Sequence, residues 1–434
     1  MSLTWLASKG QALSGEITVP GDKSISHRAI MLGAIAEGVT RVSGFLEGDD
    51  TLATARIFQQ LGVKIETPSP SERIIHGVGL HGLKASSEDL DCGNAGTAMR
   101  LLTGLLAGQG FRSTLVGDAS LSKRPMRRVI EPLSHFGASI QSESGGFPPL
   151  IISSNMVLQG IEYKTEVASA QVKSAILFAG LYAQGETTVY EPHPTRDYTE
   201  KMLAAFGWPI EFRPGFARLS GGHRLQAADI KVPADFSSAA FFIVAASLIP
   251  DSDLLVKSVG MNPRRTGLLA ALRLMGANIE EQNRREQAGE MVADLRIKHA
   301  LLTGVDIPEA VVPDMIDEFP ALFVAAALAK GETRVSGAAE LRVKESDRIA
   351  VMSEALRKLG VLITETPDGA IIQGGILQGG ETDSQGDHRI AMSLAIAGQL
   401  AVGPVHILDC DNVATSFPNF IGLSKSVGFG LNLQ

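Results

Sequence analysis

"GVTRVSGFLEGDDTLATARIFQQLGVKIE", Gly38–Glu66, and "GETRVSGAAELRVKESDRIAVMSEALRKLGVLITE", Gly331–Glu365, read as two copies of one unit. Each has a turn glycine, a short β-branched strand, a polar loop, an amphipathic helix ending in Leu-Gly, and a second strand. Weaker copies begin at Gly110, Gly185 and Asp251, with a degenerate one at Gly403. The spacing is roughly 65 to 80 residues, longer than in solenoid repeats. An alanine-rich apolar segment precedes every copy, as in "GTAMRLLTGLLAGQG", "FSSAAFFIVAASLIP" and "DEFPALFVAAALAKG". Helices apolar on all sides belong inside a domain, with the amphipathic helices and strands around them. Six units divide into three plus three. The joins fall at "ITVPGDKS" and "IKVPADFSS", which share a Val-Pro shortly followed by aspartate. Residues 22–235 are therefore expected to form one α/β domain, and residues 1–21 with 236–434 a second.

Composition narrows the function. A net charge of −8 over 434 residues, with no basic tail, argues against nucleic acid or an anionic membrane as the main partner. Cys92 and Cys410 form no CxxC or Cys/His pattern, so neither a disulfide framework nor a zinc site is signalled. The apolar windows fall short of the roughly 20 residues that span a bilayer. The N-terminal stretch lacks a charged-then-apolar layout, so a cytoplasmic location is expected.

Cations and small polar residues gather where the inner helices start. They are Lys23, Ser24 and Arg28; Asn94, Gly96 and Thr97; Ser169 and Gln171; Ser237 and Ser238; Asp317 and Glu318; His388 and Arg389. Helix N-termini carry unpaired N–H groups and the positive dipole end, which suit anions. Three loops before surface helices add Lys123 and Arg124, then Arg196, then Lys344, Glu345 and Arg348, with Lys344 and Arg348 spaced for one helix face. Arginine suits bidentate recognition of carboxylate and phosphate. Singly, the serines and asparagine are ordinary caps, and His27 is a core or capping histidine. Jointly the pattern points to small polyanions.

The motifs "PGDKSISHRA", "GNAGTAMR", "KRPM", "SAQVKSA", "RVKESDR", "GDHRIAMS" and "ATSFPNF" run in order along the chain. Together they resemble the 5-enolpyruvylshikimate-3-phosphate synthases, with the "KESDR" and "SAQ" forms closest to the second class. The resemblance implies a two-domain inverse α/β barrel, or prism, of six βαβαββ repeats with inward helices and an active site in the interdomain cleft. It implies transfer of the carboxyvinyl group of phosphoenolpyruvate to the 5-hydroxyl of shikimate 3-phosphate on the route to chorismate. Addition and elimination through a tetrahedral intermediate would follow domain closure, in a monomer, without metal or other cofactor.

Carried onto this chain, the resemblance assigns Lys23, Ser24, Arg28, Ser169, Gln171, Arg196, Asp317 and Lys344 to shikimate 3-phosphate. Lys23, Asn94, Gly96, Arg124, Gln171, Arg348 and Arg389 go to phosphoenolpyruvate, and Asp317, Glu345 and Lys23 to proton transfer. Gly93 is expected to make the turn, Gly96 to admit an anion, and Arg100 to serve packing. The chain departs from the family pattern at Ala170, Glu340 and Thr415, the last removing a lysine contact. Two alternatives are a UDP-N-acetylglucosamine enolpyruvyl transferase and a non-catalytic repeat scaffold. Ala119, where the former carries a reactive cysteine, weighs against it.

Overall fold

The alanine-rich segments are helices with no outward face. In the computed structural model, which describes residues 3–153, 157–287 and 289–434, every residue from Phe236 to Leu248 is buried. The chain divides into two compact units, Gly21–Val232 and the remainder, in which the residues up to Pro20 join Pro233–Gln434.

Gly21–Val232 carries three repeats. Inner helices α1 (Lys23–Ile35), α3 (Gly96–Ala107) and α5 (Ala170–Gly180) alternate with outer helices α2 (Asp49–Gln60), α4 (Arg127–His135) and α6 (Tyr198–Ala205). The strands of each repeat form a separate four-stranded sheet. In the first, Glu37–Ser43 pairs antiparallel with Glu72–Val78, which pairs with Lys64–Glu66. Ile230–Lys231 closes its other edge in parallel. The second and third sheets repeat this plan, with Leu90–Asp91 and Glu162–Lys164 as the parallel edges.

The other unit repeats the scheme with inner helices α7 (Phe236–Leu248), α9 (Phe319–Leu328) and α11 (His388–Leu400) and outer helices α8 (Gly267–Leu274), α10 (Arg348–Lys358) and α12 (Phe420–Val427). Its first sheet takes Ser14–Ile17 as the parallel edge. In the sixth repeat Trp5–Ser8 lies antiparallel between Val405–Leu408 and Gly430–Leu433. The last repeat reads as degenerate because the N-terminal segment supplies its middle strand. Trp5 then stacks on Phe420 at 5.5 Å in the apolar core, which Phe242, Phe417 and Phe429 extend. Among the described residues, no helix is long and apolar enough to cross a membrane.

Close approach of α3 and α5 positions two polar side chains described below. A Cβ on Gly104 would lie 2.1 Å from the Ala175 carbonyl oxygen, so here backbone meets backbone. Gly104→Ala should gain about 1 kcal/mol of helix propensity but overpack at about 1–3 kcal/mol, the upper range applying because the obstruction is backbone. We expect a lower urea midpoint, with a net loss of about 1–2 kcal/mol; a midpoint at or above the parent's would refute this packing.

Candidate active site

Local sequence decides how much of each helix N-terminus remains open. Asp22 caps α1 by accepting from the Ile25 N–H at 2.9 Å, and Ser169 caps α5 through the Val172 N–H. Asp235 caps α7 through the Ser238 N–H, and Asp387 caps α11 through the Arg389 N–H. Aspartates and a serine thus take up one backbone donor at each of these four starts. Helix α3 differs: Ala95 stands at its cap position and no side chain closes it; α9, with Glu318 at its cap position, likewise lacks a side-chain cap. Gly93 makes the turn before α3 with φ +56°.

At that open start in Gly21–Val232, Arg124 donates to Asn94 Oδ1 at 2.7 Å and to Ser120 Oγ at 3.0 Å. A Cβ on Gly96 would lie 3.2 Å from Arg100 Nη1 and 3.4 Å from Arg124 Nη1. Arg100 Nη1 donates to Gln171 Oε1 at 2.6 Å, while Gln171 Nε2 donates to Thr97 Oγ1 at 2.9 Å. The assignment of Arg100 to packing is thus revised: it holds the amide of Gln171, the residue expected near both substrates.

A second group in the same unit surrounds Arg28, which donates to the Ser24 carbonyl, Thr199 Oγ1 and Ser174 Oγ at 2.9, 2.7 and 2.8 Å. Burial pulls the Arg28 guanidinium down to about 10, and the nearby charge of Arg196 adds to the fall. Glu200 and Asp22 oppose that fall. Lys23 meets Asp50 at 2.9 Å. His27 lies in the core with Nδ1 2.8 Å from Thr54 Oγ1, and burial, then Lys23 and Arg28, depress its pKa and keep the ring neutral.

Beneath them lies a residue the sequence reading passed over. Lys173 is 3% exposed and bridges Glu191 at 2.8 Å and Glu200 at 2.7 Å, both carboxylates being equally buried. Glu191 also accepts from the Thr195 N–H, which ties the loop bearing Arg196 to α5. The available signal was a lone lysine in an otherwise apolar helix, because lysine is almost never fully buried unless paired.

The remaining candidates lie in the other unit. Arg348 is 1% exposed and donates through Nε to Asp387 Oδ2 at 2.8 Å and through Nη2 to Glu345 Oε2 at 2.7 Å. Its Nη1 lies 3.6 Å from Asp317 Oδ1. Burial opposes that charge, but Asp387, Glu345 and Asp317 more than offset it and raise the pKa above arginine's ordinary value. Arg389 Nη1 donates to the Asp317 carbonyl at 3.2 Å. Lys344 pairs with Glu340 at 3.2 Å. The expected shared helix face of Lys344 and Arg348 is not found, because Asp347 caps α10 and starts it at Arg348, leaving Lys344 in extended backbone.

Arg265, also passed over, donates to Asp317 Oδ2 at 3.1 Å, Asp235 Oδ1 at 3.0 Å and Ser237 Oγ at 2.5 Å. Ser237 in turn donates to Glu318. Burial, with Asp317 adjacent, pushes the Glu318 carboxyl up despite Arg265 and Arg389. Repeat comparison could have found Arg265, since it occupies the loop before the outer helix, as Arg124 and Arg196 do.

Residues 7–423 match the model of the family described as EPSP synthase (3-phosphoshikimate 1-carboxyvinyltransferase). The 3-phosphoshikimate 1-carboxyvinyltransferase of Xanthomonas campestris pv. campestris (strain B100) is 65% identical over 430 residues, covering 99% of this chain and 98% of that protein. The enzyme of the same name from Xanthomonas axonopodis pv. citri (strain 306) is 65% identical over 427 residues, covering 98% and 97%. A solved structure of EPSP synthase from Acinetobacter baumannii superposes with a TM-score of 0.90 at 50% identity, covering both chains fully. This chain belongs to the EPSP synthase family.

The three departures from the EPSP synthase motifs now have surroundings. Ala170 opens α5 directly after the capping Ser169. Glu340 is the ion-pair partner of Lys344. Thr415 is buried and its hydroxyl donates to the Asn412 carbonyl at 2.7 Å, a local bond within a turn of 3₁₀ helix.

Proposed function

We infer that this chain transfers the carboxyvinyl group of phosphoenolpyruvate to the 5-hydroxyl of shikimate 3-phosphate, giving 5-enolpyruvylshikimate 3-phosphate and phosphate. The carrying observation is 65% identity, from end to end, to enzymes named for this reaction. It favours neither the UDP-N-acetylglucosamine transferase nor the scaffold. The reaction makes aromatic precursors on the shikimate route.

The balance needs no cofactor. The acceptor hydroxyl loses a proton as its oxygen bonds the central carbon of the donor, whose methylene gains one, giving a tetrahedral ketal phosphate. Phosphate then leaves as the new methyl group loses a proton. In this reading Asp317, set between Arg265 and Arg348, takes the hydroxyl proton. Glu345, on the same Arg348, serves the methylene carbon. Lys23 protonates the departing or bridging oxygen. Arg28, Arg196, Ser24, Ser169, Gln171 and Lys344 hold shikimate 3-phosphate, with Lys23 and Asp317 touching it. Arg124, Arg348 and Arg389 bind the donor anion, with Asn94, Gly96, Gln171 and Lys23. These sets come from both units, so turnover requires substrates to be shared between them. Domain closure is the motion this reading calls for.

Phosphate release with phosphoenolpyruvate and either shikimate 3-phosphate or UDP-N-acetylglucosamine tests the assignment; silence with the former overturns it. Asp317→Asn and Glu345→Gln should bind both substrates while turnover falls by at least about 10²-fold, the scale of general acid–base catalysis. Near-parental rates in both variants would remove the carboxylates from the mechanism. In Gly96→Ala the new methyl group meets the Arg100 and Arg124 guanidinium groups. The KM for phosphoenolpyruvate should rise about tenfold, equivalent to about 1.4 kcal/mol, with that for shikimate 3-phosphate nearly constant. The urea midpoint should stay close to the parent's, because helix propensity gains about 1 kcal/mol against the tighter contacts.

A further inference from the structure

The loop before α8 brings an arginine onto the back of the proposed base. Arg265 is 5% exposed and contacts three side chains at once: Asp317, Asp235 and Ser237. Asp235 is itself fixed, since its other oxygen caps α7 through the Ser238 N–H at 3.0 Å. The guanidinium thus has a rigid anchor on one side and the Asp317 carboxylate on the other. We propose that Arg265 is a positioning residue for the reaction: it holds the Asp317 carboxylate in place and in its ionised form.

Geometry separates this role from that of Arg348. Arg348 Nη1 stands 3.6 Å from Asp317 Oδ1, beyond good hydrogen-bond length, and its closer bonds go to Asp387 and Glu345. Arg265 Nη1 makes the 3.1 Å bond to the opposite oxygen, Oδ2. The charged groups facing Asp317 include Arg265 from the loop before α8, Arg348 from α10, the adjacent Glu318, and Arg389 from α11 at its carbonyl. Asp235 stands behind Arg265 and competes for it. A cation at hydrogen-bond distance favours the charged carboxylate, and an anion sharing that cation weakens the effect. Removing Arg265 should raise the proton affinity of the base, and neutralising Asp235 should lower it.

The proposal rests on Asp317 being the base, and the kcat–pH profile, which reports groups in the bound complex, tests both statements separately. Arg265→Gln should move the acid limb up by about one pH unit, with about a tenfold loss of kcat below it. Arg265→Lys should restore most of the shift. Asp235→Asn keeps a residue that caps α7 equally well and should move the limb the other way. Opposite shifts distinguish charge setting from loss of structure, which would lower kcat evenly at every pH. If Arg265→Gln does not fold, the downward shift in Asp235→Asn decides the matter. An inactive Asp317→Asn with unmoved limbs in the other variants overturns the role of Arg265 alone. An active Asp317→Asn overturns the assignment of the base, and this proposal with it.

Discussion

Helices without a polar face impose the constraint from which the chemistry follows. Helix α9 is buried over nearly its whole length and α7 over all of it. Hydrogen-bonding groups then fit such a bundle mainly at its ends. Residues at the starts of neighbouring inner helices consequently meet: Thr97 of α3 with Gln171 of α5, and Ser237 of α7 with Glu318 before α9. Each unit thereby gathers polar side chains where backbone N–H groups also emerge. The strands and outer helices exist to cover the sides of these bundles, and their connecting loops bring further cations to the same residues.

Charge is handled by local pairing. An acidic chain has to hold buried cations without substrate present, and an isolated buried charge is too costly to persist. Lys173 is met by Glu191 and Glu200, Arg348 by Asp387 and Glu345, and Arg265 by Asp235 and Asp317. Breaking such a pair costs about 3–5 kcal/mol, because its partner stays buried and unmatched. Arg28 is held mainly by neutral partners, donating to the Ser24 carbonyl, Thr199 Oγ1 and Ser174 Oγ, and burial, then Arg196, lowers its pKa. One class of buried cations is therefore matched by carboxylates, and Arg28 is met mainly by hydroxyl and carbonyl oxygens.

This division explains what the sequence made legible. Repeat number, inner and outer helices and the positions of Arg124, Arg348, Asp317 and Gly96 follow from periodicity and motif, both of which are local. The sixth repeat looked degenerate because its missing strand lies at the far end of the chain, and pairing Trp5–Ser8 with Val405–Leu408 leaves no local mark. Spacing placed Lys344 and Arg348 on one helix, but a single capping aspartate overrode it. Arg100 looked like packing because its partner, Gln171, lies 71 residues away on a helix reached only through the glycine contact of α3 with α5. Lys173 and Arg265 left the local marks noted above, but their carboxylate partners meet them only in the folded chain.

Divergence among the repeats also becomes a matter of partners. The loop before an outer helix delivers an arginine in four successive units: Arg124, Arg196, Arg265 and Arg348, the last at the first helical position itself. Arg124 meets the start of α3, Arg265 that of α7 and Arg348 that of α11, so the repeat alone does not decide what the arginine does. The residue waiting there decides. Arg124 donates to the neutral amide of Asn94. Arg265 meets the carboxylates of Asp235 and Asp317 and so, in the mechanism proposed above, supports the base. Arg348 meets Asp387 and Glu345 while standing close to Asp317, so three carboxylates share one guanidinium. One repeated cation, distributed over different partners, thus comes to stand against a neutral amide in one repeat and against two or three carboxylates in others.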